Sequence, residues 1–279
     1  MAFSLSRFTN RPPVVAVVPL RGVLGTTGGL RRGLSMAALA APIERAFKMR
    51  HLKAVALAIN SPGGSPVQSA LICKRIRALA EEREIPVLAF TEDVAASGGY
   101  WIACAADEIY ADDSSIIGSI GVVSAGFGFV DLIKRLGVER RVHTAGERKM
   151  MLDPFKDERA EDVKRLREIQ TDIHDTFRDV VRDRRGNRLK GEEDDLFSGE
   201  FWTGRRALER GLIDGIGDAR TVLRERFGER VRLRLVGPKK PFLRLPMLRG
   251  GSRGDWTADL GNSLLAAVED RLHWQRFGL

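Results

Sequence analysis

Several kinds of site are excluded by what this chain has little of. Two cysteines, Cys73 and Cys104, cannot build a disulfide scaffold, and they leave the redox compartment open. The four histidines show no zinc-ligand spacing with those cysteines. Two tyrosines and four tryptophans are poor material for stacking single-stranded bases. Long apolar runs are missing too. Pro12 to Leu20 is about half the ~20 residues that a membrane-spanning helix needs, and no small-residue cleavage site follows a basic start. The sequence therefore leads us to expect neither a transmembrane helix nor a signal peptide, and a cytoplasmic location with association at a membrane surface.

What the chain does have is a globular balance, 43% apolar and 30% charged, which excludes wholesale disorder. Its net charge of +9 raises nucleic-acid and membrane-surface readings. The surplus is uneven: residues 1–50 carry +7 and 201–250 carry +8, while 51–150 net −1 and 151–200 net −4. With no zinc spacing and no interleaving of basic and aromatic residues, nucleic acid is set aside.

Val14 to Val18, Ala54 to Ile59 and Val87 to Phe90 are short runs rich in β-branched residues. They suit strands buried on both faces of a parallel sheet. Met36 to Met49 and Val67 to Glu82 lie between them and read as helices, so strand and helix alternate as in stacked β-α units. Further on, Asp131 to Leu136 reads as a short helix and Val138 to Thr144 as a strand. Glu161 to Arg185 is an amphipathic helix with Val163, Leu166, Ile169, Ile173, Phe177 and Val180 on one stripe. Arg230 to Val236 alternates like a half-exposed strand. Residues 1–237 are expected to form one catalytic domain. Residues 238–279 are expected to be a basic linker and a short helix around Trp256–Arg276.

Two glycine-rich turns fall at the ends of expected strands, where open α/β sheets keep their binding sites. Asn60-Ser61-Pro62-Gly63-Gly64-Ser65 can aim free backbone N–H groups at a ligand, as an oxyanion hole or a phosphate cradle requires; equally it can be a tight turn into a helix. Ala95-Ala96-Ser97-Gly98-Gly99-Tyr100 sets a serine among small residues at a strand-to-helix turn. That arrangement suits a nucleophile elbow, and also a helix N-cap. A sheet would bring the two turns side by side. A serine nucleophile needs a base. His143, at the end of an expected strand, is one candidate. Lys149 is another, because burial against Met150, Met151 and Leu152 would lower the pKa of its amine.

Asn60 to Gly64, Ala96 to Tyr100 and Ile117-Gly118-Ser119-Ile120-Gly121-Val122 together resemble the signal peptide peptidase A family of serine peptidases. Gly146 to Phe155, Phe201-Trp202-Thr203-Gly204 with Ala207, and Gly211-Leu212-Ile213-Asp214 agree with it. The resemblance runs from about residue 13 to 237. It implies the crotonase- and Clp-protease-like spiral of β-β-α units. It also implies a Ser–Lys dyad in which Ser97 matches the nucleophile and Lys149 the general base. Gly64 and Gly98 match the oxyanion-hole donors, and Ser119 matches the hydroxyl that orients the lysine. Where the related Clp protease carries its histidine base, this chain has Val122. No metal or cofactor is implied. The implied partners are a peptide or unfolded polypeptide substrate and further copies of the chain in a ring or dome. Pro241 to Arg249 mixes apolar and basic residues, as a membrane-surface segment or an oligomer arm would. A crotonase-type acyl-CoA enzyme and an inactive membrane-surface scaffold are the alternatives on the same fold.

Overall fold

Valine-rich runs become the central strands of one sheet because helices cover both of its faces. The computed structural model describes residues 11–25, 33–146, 148–237 and 271–279. In chain order the elements are β1 (Val14–Arg21), α1 (Met36–Phe47), β2 (Leu52–Ser61), α2 (Pro66–Arg83), β3 (Val87–Ala96), α3 (Gly98–Ala103), β4 (Glu108–Ala111) and β5 (Ile116–Gly118). Then follow α4 (Val130–Arg135), α5 (Ala160–Arg185), α6 (Glu193–Leu196), β6 (Phe201–Thr203), α7 (Gly204–Glu209), β7 (Gly215–Ile216), α8 (Ala219–Phe227) and β8 (Arg232–Leu235). Ser35 and Ser65 start α1 and α2 by accepting the N–H of Ala38 and Gln68, and Pro66 occupies the first turn of α2, where its missing N–H costs nothing.

The sheet runs β6-β5-β3-β2-β1-β8, with β4 and β7 branching from β3. Every pairing is parallel except β5 with β6. Strand β3 changes partner midway. Leu88 to Thr91 pair with β4, and Val94 to Ala96 pair with β5. The Ser115 hydroxyl closes the fork by donating to the Glu92 carbonyl at 2.6 Å. This fork starts the spiral of β-β-α units and carries the end of β3 towards a separate group of strands.

Alternate residues of the same strands feed two cores. Val15, Ala54, Ala56, Leu88 and Phe90 pack with Leu223 of α8. Ala16, Val18, Leu20, Val55, Leu57 and Ile59 pack with residues of α1, α2 and α3, including Ile43, Ile72 and Tyr100. Among the described residues no helix is long and apolar enough to cross a membrane.

Two expectations need adjustment, and one lies mostly outside the described residues. Val138 to Thr144 is not a strand: it has no ladder partner, and Arg140 turns instead to buried Asp153 and lies over the Phe155 ring. Strand β8 is not half-exposed but open along its length, with Leu235 75% exposed, because it ends the sheet beyond β1. In the tail, residues 238–270 lie outside the described residues, and with them Pro241 to Arg249 and most of the expected helix. Residues 271–275 are helical, and Phe277 meets Phe201 edge-on at 5.1 Å.

A buried ion pair ties the end of α5 to the sheet. The Arg185 side chain is 1% exposed and donates to Asp214 at 2.7 and 3.1 Å and to the Gly211 carbonyl. Asp214 also accepts the Ile109 N–H at 2.7 Å. Burial raises the pKa of this carboxyl, but the bonds from Arg185 and Ile109 outweigh it and hold it below its ordinary value. The stability this contributes is present above the unfolded value of about 4 and is lost as pH falls through the lower folded value. Asp214→Ala leaves Arg185 buried and unpaired, so it is expected to cost about 3 kcal/mol. Urea unfolding at pH 7 measures the loss, and the gap between variant and parent should narrow below about pH 4.

Candidate active site

Both glycine turns sit where β2 and β3 end. The strands are neighbours, with Ser61 opposite Ala95, so the turns meet as the motif order suggests. Gly63 and Gly64 have φ of +107° and +132°, a region that side chains rarely adopt. Space excludes a side chain there as well. A Cβ on Gly63 would stand 2.7 Å from the Ser97 Cβ and 2.9 Å from the Gly98 nitrogen, and one on Gly64 2.3 Å from the Leu24 carbonyl oxygen. Leu24 clamps this turn from outside by donating to the Gly63 carbonyl at 2.7 Å and accepting the Ser65 N–H at 2.9 Å.

Ser97 is the residue under strain. Its φ of 51° and ψ of −123° are costly for a residue with a Cβ. Two backbone bonds enforce them: its N–H donates to the Gly118 carbonyl at 2.7 Å, and its carbonyl accepts the Trp101 N–H at 3.0 Å. The half-buried side chain makes no capping bond to the helix it precedes, so the N-cap alternative fails, and among the described residues its hydroxyl has no hydrogen-bond partner. Gly98 supplies the first N–H of α3, which a helix cannot satisfy internally. A Cβ on Gly98 would lie 3.5 Å from the Gly64 nitrogen and 2.4 Å from the Ser69 hydroxyl oxygen. The Gly64 and Gly98 nitrogens therefore flank one spot beside Ser97, and among the described residues neither N–H has a carbonyl partner. Two such donors can stabilise the oxyanion of a tetrahedral intermediate.

Ser119 belongs to the same assembly. It is 5% exposed at φ 52°, directly after the Gly118 that holds Ser97, and its N–H donates to the Glu200 carbonyl at 2.6 Å. No hydrogen bond or ion pair among the described residues joins Lys149 to them. Burial against the following apolar residues was expected, but Lys149 is exposed, and its amine makes no hydrogen bond or ion pair among the described residues. Only its backbone is held, by a 3.2 Å bond to the Gly146 carbonyl. Much of the chain at 123–146 and 148–159 is likewise exposed, with Phe127 77% and Leu136 67% exposed. His143, the other candidate base, is exposed on the same segment.

Sequence reasoning missed two supports. The Leu24 clamp gives no motif signal, being an isolated bridge outside any strand. His174 was visible only as a mid-helix histidine, yet its Nε2 lies 3.1 Å from the Ile120 carbonyl oxygen.

The glycine geometry makes a prediction. Gly64→Ala and Gly98→Val should each slow fluorophosphonate labelling of Ser97 by about 100-fold or more, the cost of displacing an oxyanion donor. Circular dichroism on the same samples checks that the fold is retained.

Comparisons with known proteins agree with this geometry. Residues 80–229, spanning the Ser97 turn, Ser119 and Lys149, match the model of peptidase family S49. A protein of Brucella abortus named as the Na(+)/H(+) antiporter NhaA is 51% identical over 98% of this chain. This chain spans only 38% of that protein. A putative signal peptide peptidase SppA of Enterococcus faecium is 34% identical over 62% of this chain and 49% of its own length. Among solved structures, a membrane-bound stomatin-specific protease shares the fold, with a TM-score of 0.50 at 15% identity over 82% of this chain and 100% of that one. The chain belongs to peptidase family S49, the signal peptide peptidase A family of serine peptidases.

Proposed function

We propose that this chain is a serine endopeptidase that cleaves peptides or unfolded, signal-peptide-like segments. The observation that carries the reading is the strained Ser97, with a free hydroxyl, beside the paired Gly64 and Gly98 nitrogens. In the proposed reaction a neutral Lys149 amine takes the Ser97 proton as the hydroxyl oxygen attacks the peptide carbonyl. The two N–H groups stabilise the oxyanion, Lys149 returns the proton to the leaving amine, and water then releases the acyl group by the same route. Ser119 orients the amine throughout. A crotonase-type reaction would use the same N–H pair but gives no reason to strain a serine.

For that role Lys149 must leave water, and an isolated chain does not desolvate it. We propose that copies of the chain assemble and cover the segment bearing Val123, Phe127, Leu132, Leu136 and Val138, all exposed here. Assembly also hides the dyad from folded proteins. The name of the Brucella relative does not extend to this chain, which matches 38% of that protein and has no helix among the described residues suited to cross a membrane.

Ser97→Ala and Lys149→Ala should each abolish hydrolysis of a mixed peptide library, while His143→Ala should hydrolyse it normally. Full activity in Lys149→Ala would overturn the dyad. Phe127→Asp with Leu136→Asp should shift the sedimentation of the protein towards a monomer and remove activity with it. For the proposed membrane-surface contact, anionic liposomes should co-sediment the full chain and leave a chain ending at residue 237 in solution.

A further inference from the structure

Helix α5 reaches the candidate site at two points on one of its faces. Buried Phe177 stacks on Trp101, with ring centroids 4.7 Å apart and planes 14° apart, and the Trp101 N–H holds the Ser97 carbonyl. Three residues earlier, and so on the same face, half-buried His174 sets Nε2 3.1 Å from the Ile120 carbonyl oxygen. A carbonyl can only accept, so Nε2 carries the proton and donates it. A nitrogen used in this way has no lone pair for the Ser97 proton, so this nitrogen is not a second base.

The Ile120 carbonyl ends a turn in which Gly118 and Ser119 both have positive φ, 110° and 52°. Beside the ladder pairings of Gly118 with Ala96 and Phe201, the bonds that hold the turn among the described residues include Ser97 N–H to Gly118 O at 2.7 Å, Ser119 N–H to Glu200 O at 2.6 Å, and His174 to Ile120 O at 3.1 Å. The last comes from a side chain, just before the chain departs into the exposed segment that carries Lys149.

We propose that His174 is a positioning residue for the peptidase reaction. By donating from Nε2 to the Ile120 carbonyl, it fixes the Gly118–Ser119–Ile120 turn and so aims the Ser119 hydroxyl at the lysine amine. The inference rests on the Ser97–Lys149 reading given above. Both the neutral Nε2–H tautomer and the imidazolium can donate, so the tie does not depend on the charge of the ring.

The test compares His174→Leu, His174→Gln, Ser119→Ala and the double variant Ser119→Ala/His174→Leu in the full chain, with Ser97→Ala as control. His174→Leu should lower kcat by about 10- to 100-fold with KM nearly unchanged, the cost of a small misplacement at a reacting centre. His174→Gln carries an amide donor at similar reach and should recover most of the rate. In the Ser119→Ala background, His174→Leu should add little, because the two side chains act as one unit. Wild-type kcat in His174→Leu would overturn the proposal, and so would an undiminished loss in the Ser119→Ala background. Equal losses in the Leu and Gln variants that track a lowered Tm would overturn it as well. Should His174→Leu fail to fold, long-range 15N–1H correlation on the wild-type protein decides: a proton on Nε2 supports the bond, and a bare Nε2 removes it. Hydrolysis that survives Ser97→Ala would instead sink the Ser97–Lys149 reading itself.

Discussion

A Cβ atom has no room where the turn after β2 meets the turn after β3, and the candidate site depends on that lack of room. Gly63 lies against Ser97 and the Gly98 nitrogen, Gly64 against Leu24, and Gly99 against the Ser61 carbonyl, which a Cβ would approach to 2.5 Å. Each contact replaces a side chain with backbone. The result is a place where two N–H groups and one hydroxyl converge and where α3 begins without a side-chain cap. The positive φ at Ser97 costs of order 1–3 kcal/mol. The bonds from Gly118 and Trp101 and the fully buried Tyr100 and Trp101 beside it over-determine that conformation.

The fork in β3 places this contact at the end of a strand with two different partners. Had β3 paired with β4 along its whole length, Gly118 would not reach the Ser97 N–H. Instead Ala96 pairs with Gly118, and the turn after β5 arrives beside the turn after β3. Strand β6, antiparallel to β5, then places Glu200 against Ser119 and Trp202 against Gly118. Helix α5 closes the group through Phe177 and His174, and its far end is anchored by the buried Arg185–Asp214 pair. The Ser97 side of the candidate site is thus held by bonds within this chain. Lys149, the proposed base, lies on a segment whose own small cluster, Phe127, Phe129 and Phe155 with the Arg140–Asp153 pair, packs locally while Lys149 stays exposed.

The sequence made most of the fold legible where both faces of an element are covered or one stripe is apolar. Val14 to Val18 and Ala54 to Ile59 report their own burial because burial selects apolar residues at fixed spacing, whereas the stripe along α5 gave the helix but not its cover: Phe177 is buried, and Ile169 is exposed. The reading failed at Val138 to Thr144, which was expected to be a strand but pairs with none. It also failed on the environment of Lys149. Apolar neighbours in sequence need not bury a lysine: Met150, Met151 and Leu152 are half-buried while Lys149 is exposed. His174 was invisible as a support because the carbonyl it holds is 54 residues away and carries no sequence signature.

The sequence alone determined the residue types at the candidate site: glycines where the backbone must come close and a serine between a strand and a helix, while the lysine proposed as base rests on the family resemblance. It did so because such positions tolerate so few residues that their order along the chain is diagnostic. Only the tertiary structure decided which of them meet. The sheet register brings Gly63, Gly64, Ser97, Gly98 and Ser119 together and leaves Lys149 on the outside. Proximity across a sheet is set by strand order and by the fork in β3, which spacing along the chain does not record.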